Sequence, residues 1–489
     1  MTSKDEQLRT EADEEVKKHQ ELVQQDPYRL RYHLMPPVGL LNDPNGWIQW
    51  KGTFHLFYQW MPFKTDHGAK FWGHYSSEDL VNWNHEKIAL TPSEWFEKNG
   101  CYSGSAIEHE GRLYLFYTGN VKGEKGNRET YQCLAVSEDG LDFQKEGPVV
   151  RLPDGYTSHF RDPKVWQQKG RFFMVIGAQT TELKGAVVLF SSSNLRDWKH
   201  EGILIGGGRG RLSEFGYMFE CPDMFTLDGR DVLVFSPQGL EPKGMNYLNV
   251  YQAGYVVGSF DPETGQYDHD DFHELDHGFD FYAPQTTEDE AGRRIMFAWM
   301  SVPDQDEQAH PTIAYRWLHN MTLPRELKLI GGEIWQLPVL ELEQLRIGAA
   351  IIHNVQLDEE HVELAEVNGK ALELLIDDIT VTDGWWELTI GGAVRLLYSK
   401  GVFTLERKSY VDGAFEKRQC EVEQLSSLHI FIDTSSIEIF VNGGRKTLTA
   451  RFYPLTNDDS IRFGTNGFAT FLVHKWRLGT KKMSNNNLI

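Results

Sequence analysis

The chain has 489 residues and a formal net charge of −22 at neutral pH. That length is enough for one large repeat domain with a second domain attached. A surface this acidic argues against nucleic acid and anionic membranes as partners, although a cleft can still bind an anionic small molecule through its local potential. No apolar run approaches the roughly 20 residues of a membrane span.

The first predicted element is a charged helix over residues 3–25, which ends before Pro27. Residues 1–29 lack the apolar core of a secretory signal, so we expect a cytoplasmic protein. The cysteines show no metal-ligand spacing and are expected to be reduced thiols. They are Cys101, Cys133, Cys221 and Cys420.

A long repeat dominates the next part of the chain, and a glycine marks each copy. The glycines precede aromatic and β-branched runs such as KGTFHLFY and EGRLYLFY, with gaps of 59, 59, 59 and 63 residues. They are Gly52, Gly111, Gly170, Gly229 and Gly292. A fixed long period is typical of folds whose units bury their faces only against neighbouring units. We predict a five-bladed β-propeller over residues 30–338, in which each blade opens with the strand after the glycine.

The repeat fades after Pro338. Residues 339–354 are predicted to form a linker, and residues 355–489 show short alternating strands with frequent turns, which is typical of a β-sandwich. The predicted fold is therefore all-β: a short N-terminal helix, a five-bladed β-propeller and a C-terminal β-sandwich. The sandwich has no evident catalytic set, so we expect it to support the propeller by packing or by assembly into a homo-oligomer.

Three acids stand at matched positions of the repeat. Asp43 and Glu220 lie nine residues before the glycine of their units, and in the third unit Asp162 follows Arg161, which holds that position. A single Asp-Pro or Asn-Gly step is explained by a turn alone. Equivalent positions in radial blades point to one axis, however, so we expect the three carboxylates to converge on one pocket.

Carboxylates around one pocket suit glycoside hydrolysis. One acid protonates the leaving oxygen, while a second carboxylate attacks the sugar or activates water. Glu220 has apolar neighbours in sequence, which favours the acid role, whereas Arg161 would keep Asp162 ionised. The residues by themselves leave open whether Asp43 or Asp162 is the ionised partner.

Nine ordered sequence blocks resemble those of the invertase and sucrose-6-phosphate hydrolase family, glycoside hydrolase family 32. The resemblance covers nearly the whole chain from residue 27. The blocks are HLMPP (33–37), LNDPNG (41–46), FYQ (57–59), WGH (72–74), YSGS (102–105), FRDP (160–163), ECPD (220–223), FYAP (281–284) and DTSSIEIF (433–440).

The resemblance implies a retaining β-fructofuranosidase that works through a fructosyl-enzyme intermediate. It makes Asp43 the nucleophile, Glu220 the general acid/base and Asp162 the stabiliser of the transition state. The sugar contacts that it implies are Asn42, Gln59, Trp72, Ser103 and Arg161. Tyr282 and Trp299 are further candidate sugar contacts, for which a strand-start turn and a buried core ring are the structural alternatives.

The implied substrate is sucrose-6-phosphate or sucrose, because sugars delivered by phosphorylating import arrive inside the cell as 6-phosphates. A fructan hydrolase or fructosyltransferase with the same acids is one alternative, and an inverting hydrolase of the arabinan type is another. A non-catalytic sugar-binding propeller is the alternative from a different class of protein.

Three further segments invite a functional interpretation. The loop Gly206–Arg211 is a candidate phosphate clamp, and Asp280 is a candidate for the pocket beside Tyr282. The acidic, histidine-rich run at 269–277 fits no metal-ligand signature and is interpreted as a solvated outer loop. Neither a metal nor another cofactor is predicted.

Overall fold

A computed structural model describes residues 3–123, 127–454 and 458–479 of the chain. It is built almost wholly of β-strands, and the predicted propeller, sandwich and N-terminal helix are all confirmed. Among the residues described, no helix has the length and apolar character needed to cross a membrane.

The helix α1 spans Ser3–Gln24 and lies against the propeller. Arg9 donates hydrogen bonds to the carbonyl oxygens of Ile88 and Ala89, which follow the first blade. Ala12 is fully buried in the core that the first and fifth blades share. The charged helix is therefore a packed part of the propeller surface, with its polar side turned to solvent.

Five antiparallel sheets follow, and each is one blade of the propeller with its first strand innermost. Blade 1 contains β1 (Gly39–Trp50), β2 (Thr53–Met61), β3 (Phe71–Ser77) and β4 (Trp83–His85). Blade 2 contains β5 (Cys101–His109), β6 (Arg112–Lys122), β7 (Arg128–Ser137) and β8 (Gln144–Arg151). Blade 3 contains β9 (Tyr156–Gln168), β10 (Arg171–Thr180), β11 (Gly185–Ser192) and β12 (Lys199–Gly206).

The last two blades close the ring. Blade 4 contains β13 (Met218–Leu227), β14 (Arg230–Gln238), β15 (Gly254–Asp261), β16 (Gln266–His269) and β17 (His273–Glu274). Blade 5 contains β18 (Tyr282–Glu288), β19 (Arg294–Trp299), β21 (Arg325–Ile330) and β22 (Glu333–Pro338). The short β20 (Trp317–Leu318) lies between β19 and β21 in sequence and pairs in parallel with β1 of blade 1. Each inner strand contacts the next, from β1 through β5, β9, β13 and β18 back to β1.

The repeat glycines form tight turns between the first and second strands of the blades. Gly52, Gly111, Gly170 and Gly229 have φ between 77° and 80°, and the residue before each also has a positive φ. Two consecutive left-handed residues define the type I′ turn, which matches the twist of the strands that it joins. The glycine therefore follows the innermost strand of each blade, and the prediction that it precedes the opening strand is wrong by one strand.

Two six-stranded sheets form the C-terminal sandwich. The first orders its strands as β23 (Arg346–Asp358), β34 (Phe468–Leu478), β25 (Leu372–Thr382), β30 (Leu428–Asp433), β31 (Ser436–Val441) and β32 (Lys446–Arg451). The second orders them as β24 (His361–Glu363), β33 (Ile461–Thr465), β26 (Trp385–Ile390), β27 (Val394–Ser399), β28 (Val402–Lys408) and β29 (Phe415–Glu421).

The segment 339–354, predicted to be a linker, is instead regular structure. It forms a 3-10 helix at Leu340–Leu345 and then enters β23 at Arg346. The strand lies at a sheet edge and its first half is largely exposed, so it lacks the apolar alternation that would mark it in sequence. The sandwich sheet therefore begins within the predicted linker.

A buried group of charges joins the propeller to the sandwich, and we call it the interface cluster: His33, Asp276, Arg325, Asp433 and Glu438. The His33 ring lies 2.9 Å from an Asp433 oxygen and 3.0 Å from a Glu438 oxygen. Arg325 donates to Glu438 over 2.6 Å and to Asp276 over 3.2 Å. Asp276 belongs to the run at 269–277, so that run is partly a buried contact rather than a solvated loop, because its acid has an arginine partner in space.

Candidate active site

A β-bulge interrupts each of the five inner strands at the same level of the propeller. At these points the pairing with the second strand shifts register, which leaves Asp43, Ser103, Asp162 and Cys221 outside the regular ladder. The fifth inner strand shifts in the same way after Tyr282. A bulge re-aims side chains that would otherwise alternate between the two faces of a strand. Consecutive residues can therefore reach the same pocket.

The bulges bring the three acids together: the Cys221 thiol lies between Asp43 and Asp162, and the charge of the adjacent Glu220 acts on both of them. Its sulfur lies 3.8 Å from Asp43 Oδ2 and 3.6 Å from Asp162 Oδ2, and its backbone N–H donates to that same Asp162 oxygen over 3.0 Å. Asp162 and Cys221 have φ of 67° and 48°, in the left-handed region that is unusual for residues other than glycine. Local strain of this kind is characteristic of functional sites that the surrounding fold holds in place.

Glu220 sits in a polar setting, contrary to the apolar one expected from its neighbours in sequence. Arg161 Nε donates to Oε1 over 3.0 Å, while Gln238 Nε2 and the Tyr282 hydroxyl donate to Oε2 over 2.9 and 2.6 Å. Phe219 is fully buried in the core between blades 3 and 4, because successive strand residues point to opposite faces. The apolar neighbour in sequence therefore does not surround the carboxyl group.

Arg161 serves Glu220 more directly than it serves Asp162. Its guanidinium forms a second hydrogen bond to the same Glu220 oxygen, and these two groups form an ion pair. Although burial favours the neutral form, the charges of Glu220 and Asp162 raise the pKa of Arg161. The expected pairing of Arg161 with Asp162 is thus replaced by a bond to the candidate acid of the next blade.

Asp43 is half-buried and accepts a hydrogen bond from the neighbouring blade. The Ser103 hydroxyl donates to its Oδ2 atom, and Lys70 Nζ lies 2.7 Å from the side-chain oxygen of the adjacent Asn42. Burial raises the pKa of the Asp43 carboxyl and the nearby charge of Glu220 acts in the same direction, while the Ser103 bond and the Lys70 charge oppose them. Burial also lowers the pKa of Lys70 to about 7, against the attraction of Asp43.

The pKa of Asp162 is raised strongly, by burial and by the neighbouring acids. Burial raises its pKa to about 7, and the charges of Glu220 and Asp43 add to the effect, while Arg161 opposes it. Three carboxylates within one pocket therefore share too few cations for all of them to ionise at low cost. Such a group can hold both an ionised and a protonated acid at neutral pH, as acid–base chemistry on one substrate requires.

The remaining candidate residues differ in how they reach the pocket. Gln59 on β2 is 4% exposed, and the Tyr282 ring beside Glu220 is 1% exposed. Trp72 is fully buried and donates from Nε1 to the carbonyl oxygen of Tyr102 over 3.1 Å. The Trp299 ring, also buried, lies 6.3 Å from that of Tyr282. Both tryptophans support residues of the pocket, and their direct contact with a sugar stays a prediction.

Asp280 does not reach the pocket. It is buried at the boundary with the sandwich, where it forms an ion pair with Arg407 and accepts the backbone N–H of Arg451 over 2.8 Å. Within the described ranges, no group of three His, Cys, Asp or Glu side chains is arranged to hold a metal ion.

Three residues of the site were missed or underrated in the sequence. Lys70 and Gln238 lie outside the matched repeat positions, so no spacing pointed to them. Cys221, for which the sequence predicts only a reduced thiol, lies between two acids. A signal for it existed, because Ser103, Asp162 and Cys221 all stand eight residues before the glycine of their units, the position that the bulge turns toward the axis.

Comparison with known proteins places this geometry in one family. The model for the glycosyl hydrolases family 32 N-terminal domain matches residues 33–338, and the family 32 C-terminal model matches residues 399–476. The chain is 52% identical over 480 residues to a sucrose-6-phosphate hydrolase of Bacillus subtilis (strain 168), covering 98% of this chain and 100% of that protein.

Solved structures agree with the sequence comparison. A sucrose-6-phosphate hydrolase from Lactobacillus gasseri superposes with a TM-score of 0.85 at 30% identity, covering 95% of this chain and 96% of that one. A variant of a Bombyx mori family 32 β-fructofuranosidase in complex with sucrose gives a TM-score of 0.83 at 32% identity, covering 97% and 98% of the two chains. The fold, the acid-bearing blades and these matches establish that the chain belongs to glycosyl hydrolase family 32.

Proposed function

We propose that this chain is a retaining β-fructofuranosidase that hydrolyses sucrose-6-phosphate to glucose-6-phosphate and fructose, with sucrose as a related substrate. The observation that carries the proposal is the meeting of Asp43, Asp162 and Glu220 from three blades in one pocket, with Asp43 and Asp162 on either side of the Cys221 thiol. The hydrolase names of relatives that span the whole chain support the choice of substrate.

The first step uses Glu220 as acid and Asp43 as nucleophile. Glu220 gives a proton to the oxygen between the two sugars, and the C–O bond breaks as Asp43 bonds to the anomeric carbon of the fructosyl group. Ser103 holds the Asp43 carboxylate in one orientation, and the Lys70 charge favours its ionised form. Asp162 accepts hydrogen bonds from hydroxyls of the fructosyl ring, and its charge stabilises the positive charge that develops on that ring.

The second step returns the enzyme to its starting state. Glu220, now ionised, removes a proton from water as that water attacks the anomeric carbon, and the bond to Asp43 breaks to release fructose. The donors Arg161, Gln238 and Tyr282 stabilise the ionised carboxylate of Glu220 in this half of the cycle. Water must compete with a sugar acceptor here, which is the step that separates a hydrolase from a fructosyltransferase.

A comparison of substrates and variants tests the proposal. We expect the highest kcat/KM on sucrose-6-phosphate, a lower value on sucrose and a lower one again on a long fructan. Asp43→Ala and Glu220→Ala should each lower kcat by about 1,000-fold or more, because each removes a reacting group. Unchanged hydrolysis in both variants would overturn the catalytic assignment of Asp43 and Glu220. A wild-type protein that binds these sugars without hydrolysing any of them would favour the non-catalytic sugar-binding propeller, and a preference for the long fructan would favour the fructan hydrolase alternative.

The anomeric outcome provides a second test. Fructose released with the anomeric configuration of the substrate is expected for a covalent intermediate, whereas the opposite configuration would favour inverting chemistry. The cytoplasmic location and the assembly state of the protein stay predictions.

A further inference from the structure

One cation at the rim of the active site, Arg128, has no acidic partner among the residues that the structure describes. Arg128 is the first residue of β7, on blade 2, and is half-buried. Its guanidinium lies 5.8 Å from the centre of the Tyr102 ring, with Nη2 3.4 Å from the Tyr102 hydroxyl. In the ranges that the structure describes, no carboxylate lies within salt-bridge distance of it. Within those ranges no bonded carboxylate offsets its charge, so the guanidinium is available to an anionic ligand.

His159 lies close to two arginines, one of which bonds the candidate acid. Arg161 bonds Glu220 through Nε and lies 3.0 Å through Nη1 from His159 Nδ1. Burial lowers the pKa of His159 to about 4, and the charges of Arg161 and Arg128 act in the same direction. His159 is therefore close both to Arg161, which bonds Glu220, and to Arg128.

Because His159 is neutral, its ring carries one proton, and the contact with Arg161 decides which nitrogen holds it. A guanidinium has donors only, so Nδ1 of His159 must accept from Arg161 and the ring proton must sit on Nε2. No hydrogen bond engages Nε2 anywhere in the described part of the chain. His159 thus offers one N–H donor near Arg128 and the Tyr102 hydroxyl that Arg128 contacts.

The leaving sugar must lie on the side of Glu220 that faces away from Asp43. The fructosyl group occupies the space between Asp43 and Asp162, and Glu220 reaches the oxygen that joins it to the leaving sugar. Two rims border that outer space. On blades 4 and 5, the Tyr251 hydroxyl donates to Asp304 over 3.0 Å, and a carboxylate there would repel a phosphate. The rim on blades 2 and 3 carries Arg128 and His159 instead.

We propose that Arg128, together with His159 Nε2–H and the Tyr102 hydroxyl, binds the 6-phosphate of the leaving sugar and so selects the phosphorylated substrate. This inference rests on the proposed function. The planar fork of a guanidinium matches two phosphate oxygens at once, and hydrogen bonds between charged groups are about twice as strong as neutral ones. Arg161 is not available for this role, because its donors are bonded to Glu220 and His159.

The glycine-rich loop Gly206–Arg211 is the rival position. Arg211 there has an acidic partner, Asp271, at 3.4 Å, and both side chains are mostly exposed. Arg209 is exposed, and its positive charge opposes the rise that burial causes in the pKa of Tyr156. The Tyr156 ring packs 5.4 Å from the ring of Phe160. None of these contacts leads to Glu220, which is why the structure favours Arg128.

The experiment compares Arg128→Gln and Arg128→Lys with Arg209→Gln as the matched control. For each protein, kcat/KM is measured on sucrose-6-phosphate and on sucrose, and the inhibition constants of glucose-6-phosphate and glucose are measured in the same buffer. We expect Arg128→Gln to lower the ratio of the two kcat/KM values by about 10- to 100-fold and to weaken inhibition by glucose-6-phosphate alone. Lysine should restore part of the ratio, and Arg209→Gln should leave it near the wild-type value.

The outcomes separate this inference from the proposed function. A wild-type ratio in Arg128→Gln, with a reduced ratio in Arg209→Gln, would move the phosphate to the glycine-rich loop and overturn the inference. A wild-type enzyme that hydrolyses both sugars equally well would overturn it too, while leaving the β-fructofuranosidase activity in place. Failure of the wild-type enzyme to hydrolyse either sugar would instead refute the proposed function itself.

Discussion

The active site and the interface cluster both bury carboxylates, but they treat them in opposite ways. At the interface, the pKa values of Asp433 and Glu438 are held low although burial favours their neutral forms, because His33 and Arg325 bond to them. In the active site, burial and neighbouring acids raise the pKa values of Asp43 and Asp162. The difference lies in the number of cations within bonding distance of each acid.

This contrast separates a structural use of buried charge from a chemical one. The interface matches its acids with His33 and Arg325, so that every charge has a partner and the two domains keep one relative position. The pocket leaves its acids crowded, which costs stability but keeps a carboxyl group able to exchange protons near neutral pH. We expect substitutions at the two places to have opposite effects on folding.

The largest effect on stability is expected from Arg325→Met at the interface. It leaves Glu438 and Asp276 as buried charges without their guanidinium, and breaking a buried pair in this way costs about 3–5 kcal/mol. The midpoint of urea-induced unfolding should fall accordingly. The remaining folded enzyme should keep its kcat, since Arg325 does not touch the pocket.

The matched control is Arg445→Met, which breaks the exposed pair with Glu333 at 2.9 Å. Exposed pairs are worth about 1 kcal/mol or less, so its unfolding midpoint should stay close to that of the wild type. Equal midpoints for the two variants would show that the interface cluster is no more important than a surface pair.

A second prediction concerns the pH dependence that Asp162 imposes. Its folded pKa of about 7 lies above the ordinary value of 3.8, so the folded state holds a proton that the unfolded state has lost. Stability from this group is therefore full below about pH 4 and is lost as the pH rises toward 7. Asp162→Asn should be about 1–3 kcal/mol more stable than the wild type at pH 8, with no advantage at pH 4.

The same variant should lose about 100-fold in kcat, because the stabilising charge at the developing cation is gone. Unfolding midpoints at pH 4, 6 and 8 check the stability, with the exposed Asp154→Asn as the matched control. An Asp162→Asn protein that loses stability at pH 8 would contradict the view that the active site is held together against electrostatic repulsion.

The smallest effect is expected for Tyr282→Phe, which removes one of the donors that offset the crowding at Glu220. The Tyr282 hydroxyl lies 2.6 Å from Oε2, and its loss should lower kcat by about tenfold with a small change in KM. Tyr251→Phe is the control, since that hydroxyl bonds Asp304 instead. A similar loss in both variants would assign the effect to the rim in general rather than to Glu220.

Much of the fold could be predicted from the sequence, because the repeated turns have a backbone conformation that favours glycine. A type I′ turn needs two consecutive left-handed residues, and Gly52, Gly111, Gly170 and Gly229 supply the second of them. The turns recur every 59 residues, so the glycines mark the blades in the sequence. The strand at 346–358 could not be predicted in this way, since an exposed edge strand carries little apolar alternation. Its place in the sheet follows from pairing with β34, which lies at the other end of the sandwich sequence.

The candidate site was predictable in its membership but not in its contacts. The positions of Asp43 and Glu220 follow from the period, since equivalent strand positions face one axis, whereas Asp162 lies one position later and reaches the pocket through the bulge of its strand. Their partners do not, as Arg161 shows by bonding to the acid of the next blade. Asp280, which precedes a predicted pocket residue in sequence, points instead to Arg407 of the sandwich.

The sequence by itself therefore determined the number of blades, the acids and the family to which the chain belongs, because turns and strand periods are local properties of the backbone. Tertiary structure alone decided which cation serves which carboxylate. Ionisation inside a protein depends on burial and on charges a few ångströms away, and those neighbours come from other blades and from the other domain.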